Sequence, residues 1–92
     1  MYSLSTTPAE VSKALAVRHK ALRKQLKLSQ TEMAERSGVS LGSLKRFENT
    51  GKISLESLLK LTHLLNRLED FENVFQLRED QSNLENLFTS KA

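Results

Sequence analysis

Apolar side chains recur along this chain at the three-to-four-residue spacing of helices, and short polar stretches with capping chemistry separate the runs. Val11, Leu15, Leu22 and Leu26, with Ala14 and Ala21 beside them, draw one stripe along a first helix. Its start is written in Thr7-Pro8-Ala9-Glu10. The Thr7 hydroxyl can accept the Glu10 backbone N–H, Glu10 can reach back, and proline suits the first helical position. Arg18, Lys20, Arg23, Lys24 and Lys27 are expected on the other faces, several in the last turns where cations suit the helix dipole.

A second capping box, Ser29-Gln30-Thr31-Glu32, predicts a short helix with Met33 and Ala34 inward. Gly38 supplies the left-handed residue that ends it, Val39 packs into the turn, and Ser40 caps the next helix. That third helix runs to about Asn49 and buries Leu44 and Phe47; Gly51 closes it and Ser54 caps a fourth. Leu55, Leu58, Leu59, Leu61, Leu64, Leu65 and Leu68 exceed what one stripe needs, so the fourth helix is expected to have contacts on two sides. Leu68, Phe71 and Phe75 suggest a fifth short helix. A polar connection over 78–83 leads to a last apolar cluster of Leu84, Leu87 and Phe88. The expectation is an all-α, five-helix domain. Residues 1–7 would form an arm, 8–77 the domain and 78–92 a C-terminal tail.

Composition narrows this picture. Ninety-two residues make one domain with a modest core, and one proline with three glycines favours helices. The absence of cysteine excludes disulfides, thiol catalysis and Cys-based zinc sites. No 18-residue apolar stretch or signal-peptide pattern is apparent, so a cytoplasmic location is the expectation. Charge is unevenly spread. Residues 1–52 hold ten Lys/Arg and four Asp/Glu, whereas 53–92 hold four and seven, so the front half carries +6 and the back half −3. A basic front suits a polyanion, and an acidic back suits another partner.

Two short helices joined by a Gly-containing turn, between a longer first helix and a Leu-rich fourth, make a helix-turn-helix arrangement. Gln30, Ala34, Gly38 and Leu44 have the spacing it needs. Small Ala34 lets the third helix cross closely, Gly38 turns the chain, and Leu44 plugs the gap. The run Leu28–Ser40, continued by Leu44-Lys45-Arg46-Phe47-Glu48-Asn49, resembles the lambda-repressor/Cro (xenobiotic-response-element) helix-turn-helix family over about residues 10–68. Within it, Phe47-Glu48-Asn49-Thr50-Gly51 and Ile53-Ser54-Leu55-Glu56-Ser57-Leu58-Leu59 are similar to HipB-type antitoxins, autorepressors that pair with HipA-like kinase toxins.

That resemblance implies a third helix in the DNA major groove. Leu41, Gly42, Lys45 and Arg46 would face the bases, Gln30 would contact a phosphate, and Ser43 and Asn49 would make further backbone contacts. Leu41 and Gly42 stand where many relatives carry hydrogen-bonding side chains. Direct readout therefore falls to Arg46 and Lys45, with Arg the better reader of guanine. Contact by Arg23, Lys24 or Lys27 is weighed against a solvated face.

His19 and His63 have no spaced partners and are read as ordinary helix residues. Glu48 is assigned to tying the third helix to its surroundings. No catalytic set, phosphate-binding glycine loop or metal cluster can be assembled, so neither enzyme chemistry nor a cofactor is expected. Leu68, Phe71 and Phe75 are expected to serve core and dimer interface, and Leu84, Leu87 and Phe88 a partner-binding segment. The reading is a homodimeric repressor on a palindromic operator, with a HipA-like toxin as possible partner. Its rivals are a stand-alone phage-type repressor and a protein-interaction module of the same fold.

Overall fold

A computed structural model describes residues 6–77. Four α-helices follow one another: α1 (Pro8–Gln25), α2 (Gln30–Ser37), α3 (Leu41–Thr50) and α4 (Leu55–Leu64). A four-residue 3-10 helix, Leu68–Phe71, succeeds them. Each α-helix begins on a hydroxyl cap. Thr7 accepts from the Glu10 N–H and Ser29 from that of Glu32, both with the reciprocal carboxylate contact. Ser40 accepts from Ser43 and Ser54 from Ser57. Gly38 and Gly51 end α2 and α3 at φ 80° and 81°, the left-handed region where a side chain is strained.

The core sits where α2 and α3 meet α1 and α4. Met33, Leu44 and Leu61 are fully buried, and Phe47, Val39, Ala16 and Ala34 nearly so. Leu15, Leu28, Ile53, Leu58, Leu64 and Leu65 pack around them. α3 packs on both α1 and α2, and α4 packs on α2 and the 3-10 helix. Leu55 stays largely exposed, so α4 buries less leucine than its sequence offers. Among the described residues, no helix is long and apolar enough to cross a membrane.

Two expectations need correction. The inward face of α1 is Ala16, His19 and Arg23, whereas Val11 and Leu26 are about half exposed. Burial of a histidine and an arginine there is possible because a carboxylate from α3 meets them. The fifth α-helix is also absent from the described residues. In its place, successive backbone bonds join Asp70 to Arg67, Glu72 to Glu69, Val74 to Phe71 and Gln76 to Asn73, each three residues apart. The segment is too short to be a stable helix without packing, and Asp70, Asn73 and Val74 are weak helix formers. Phe75 takes φ 66° and is fully exposed; Leu68 is 40% exposed, and only Phe71 of the predicted trio is half-buried. Leu84, Leu87 and Phe88 lie outside the described residues.

Candidate nucleic-acid interface

The two faces of α3 are chemically distinct. Leu44, Phe47, the Glu48 carboxylate and Gly51 point inward. Gly42, Ser43, Lys45, Arg46 and Asn49 are exposed. The helical period alone accounts for this division: 44, 47, 48 and 51 share one side, and 42, 45, 46 and 49 the other. Leu41, at the start of the helix, is half-buried and packs against the core. Gly42 faces open space, with no atom of the described residues within 4 Å of where a Cβ would stand. The exposed face therefore offers two cations, an amide and a hydroxyl beside a stretch of bare backbone.

Glu48 fixes the orientation of that face. Its side chain is 1% exposed and accepts four hydrogen bonds. Arg23 donates through Nε and Nη2, each at 2.9 Å. His19 Nδ1 lies at 2.8 Å and Gln30 Nε2 donates at 3.0 Å. A third Arg23 nitrogen, Nη1, donates to the Leu28 carbonyl at 2.8 Å, so one guanidinium links α1, the chain leading into α2, and α3. An ionised carboxylate only accepts, so His19 carries its proton on Nδ1. Its Nε2 is buried without a hydrogen-bond partner among the described residues, and its ring meets Phe47 edge-on with centroids 5.5 Å apart.

Charge states follow from this packing. Burial works to raise the Glu48 pKa, but the hydrogen bonds from Arg23 and Gln30, the Arg23 charge and His19 outweigh it and hold the carboxyl below its ordinary value. For His19, burial outweighs the Glu48 contacts, and its pKa falls below 6.5. Arg23 is thus a buried ion-pair partner rather than part of the basic outer face. Lys24 and Lys27 are exposed. Gln30, the expected phosphate ligand, is half-buried and has one amide hydrogen committed to Glu48, which leaves the other for an outside acceptor.

A polar concavity of about 320 Å³ adjoins the outer face of α3, lined by Ser43, Arg46, Lys52, Ile53, Ser54 and Ser57. Ser43 and Arg46 were legible as candidates. Lys52, Ser54 and Ser57 were not, beyond the cap at Ser54, because their convergence depends on how α4 departs from α3.

A family model for helix-turn-helix proteins matches residues 20–71, more than half of the chain. The chain belongs to this helix-turn-helix family, whose members are DNA-binding transcription regulators, in agreement with the lambda-repressor/Cro resemblance. No curated protein matches the chain.

Proposed function

We propose that this protein is a sequence-specific transcriptional repressor that binds a palindromic operator as a homodimer, with residues 8–77 as its DNA-binding domain. The observation that carries this reading is the outward set Gly42, Lys45, Arg46 and Asn49, held by a buried Glu48 and continuous with the Arg46–Lys52 concavity. In this assignment α3 enters the major groove, Arg46 and Lys45 read base edges, and Leu41 and Gly42 allow close apolar or backbone approach. Gln30, Ser43, Asn49 and Lys52 contact the phosphates that set the register.

Two base readers per subunit, of which only Arg46 can pair bidentately with guanine, give modest discrimination, so two-fold symmetry supplies the remainder. The exposed Leu68, Val74, Phe75 and Leu77 support an apolar self-association surface. Repression follows by occlusion of the polymerase and requires no catalysis.

Within that class we assign the chain to the autoregulating antitoxins of the HipB type, with a HipA-like kinase toxin as partner. The support is the resemblance over Phe47–Gly51 and Ile53–Leu59, together with the acidic, apolar back half and its Leu84, Leu87 and Phe88. Recovery of a stoichiometric second protein from the native operon fits the antitoxin reading, and recovery of none favours a stand-alone repressor.

The test is a titration of the DNA just upstream of the gene against scrambled competitor at two salt concentrations. Tight binding that survives the competitor is expected. Weak binding that is indifferent to sequence and collapses with salt would favour a protein-interaction module of the same fold.

A further inference from the structure

A cavity of about 480 Å³ opens between α1, α4 and the 3-10 helix, on residues that the DNA-binding reading does not use. Small-molecule sites commonly measure roughly 300–1,000 Å³. Leu15 and Leu22 of α1, Leu58 and Leu65 at α4, and Phe71 and Val74 beyond it form mainly apolar walls. Most of the polar groups there are already engaged. Thr62 Oγ1 donates to the Leu58 carbonyl at 2.8 Å. Arg67 and Asp70 pair with each other at 2.9 Å. Arg18 lines the mouth and makes no ion pair among the described residues. His19 completes the wall, with one nitrogen on Glu48 and the other buried and, among the described residues, unpartnered.

We propose that this cavity binds a small amphipathic carboxylate, its hydrocarbon body against the leucine and phenylalanine walls and its carboxylate on Arg18. Charge selects the head group. Among the described residues Arg67 and Asp70 pair with each other and Arg18 has no acidic partner, so the mouth carries one uncompensated positive charge there, which favours an anion over a neutral or cationic ligand. Size and lining select the body, because removing this apolar surface from water is favourable. The occupant also rests on the His19 ring, which bonds Glu48 and through it reaches Gln30 and α3. Binding at this site therefore modulates DNA affinity, a consequence that rests on the proposed DNA-binding function, whereas the ligand site itself does not.

The test uses the full chain, decanoate as ligand and decanol as its uncharged counterpart, with calorimetry and isotope-resolved NMR. Decanoate is expected to bind one per chain with sub-millimolar affinity, moving the methyl signals of Leu15, Leu22, Leu58 and Leu65 and the imidazole signals of His19. Arg18→Gln, at an exposed position, is expected to weaken decanoate by about tenfold or more, equivalent to about 1.4 kcal/mol, and to leave decanol unchanged. The proposal is overturned by any of three results. One is the absence of saturable binding at these residues. Another is equal affinity for both ligands with no response to Arg18→Gln. The third is a cavity already filled in the ligand-free chain, seen as contacts from Leu84, Leu87 or Phe88, or as signals that depend on protein concentration. A ligand-dependent change in DNA affinity supports the regulatory half, and no change refutes that half alone. Failure of the ligand-free chain to bind DNA would instead count against the proposed function.

Discussion

Glu48 takes two parallel hydrogen bonds from Arg23, both at 2.9 Å, with the two side chains 1% and 7% exposed. The pair joins the last turns of α1 to the last turn of α3, across 25 residues of sequence. Together with the buried Leu44 and Phe47 on the same side, it sets the rotation of α3 about its axis and so turns Lys45 and Arg46 outward.

Removing one partner leaves the other charged and buried, which costs about 3–5 kcal/mol. Glu48→Gln is expected to destabilise the protein by this order in urea unfolding. Replacing both partners, Arg23→Met with Glu48→Leu, is expected to cost clearly less than the sum of the single changes, because neither charge is left alone. Additive losses would show that the two residues act separately.

Acid should weaken the fold in two stages. The folded pKa of His19 lies below its ordinary 6.5, so the unfolded chain binds more protons and stability falls as pH drops below about 6.5. Glu48 acts in the same direction lower down. Its stabilisation is full above its ordinary 4.5 and is lost as pH falls through its depressed folded value. Unfolding measured at pH 7.5 and 5.5 should show the first loss, and His19→Gln should flatten it. A slope unchanged in that variant would assign it to other groups.

The two left-handed glycines should differ in sensitivity. At Gly38 a Cβ meets nothing within 4 Å among the described residues, so Gly38→Ala is expected to carry only the conformational strain of about 1–2 kcal/mol. At Gly51 a Cβ would stand 2.9 Å from the carbonyl carbon of Ser12 and 3.0 Å from the Lys13 nitrogen, both backbone atoms of α1. Overpacking adds about 1–3 kcal/mol there, so Gly51→Ala is expected to be the more damaging in thermal unfolding. Equal effects would mean that α1 yields freely at Ser12.

On DNA, Arg46→Ala is expected to cost about 1–3 kcal/mol and to relax one base position. Equal loss on all sequences would make Arg46 a phosphate contact. Lys52→Ala is expected to weaken all sequences alike and to lower the salt slope by about 1. Gln30→Ala is expected to weaken binding without changing the preferred site. Binding-site selection with each variant separates these outcomes.

Features governed by local chemistry were legible in the sequence. The caps at Thr7, Ser29, Ser40 and Ser54 and the turns at Gly38 and Gly51 each depend on a few neighbouring residues, and all are present. Met33, Ala34, Val39, Leu44 and Phe47 could be assigned to the core because helical period and the turn leave them one side. Features set at long range were not legible. Nothing near His19 or Arg23 reveals that Glu48 will meet them, so a stripe of apolar residues seemed the natural inner face of α1. Likewise, Lys52 and Ser57 join Arg46 only through the bend between α3 and α4. The expected fifth helix failed for a related reason: the periodicity of Leu68, Phe71 and Phe75 is real, but the described chain offers Phe75 no surface to pack on.

Under the proposed function, α3 presents a DNA-reading face in a two-fold assembly. Footprinting of the DNA upstream of the gene with the purified full chain distinguishes that arrangement from its alternatives. Two protected half-sites on one face of the duplex, about 34 Å apart centre to centre, are the result expected. Protection spread evenly along the fragment, or none at concentrations where the protein is intact, would contradict it.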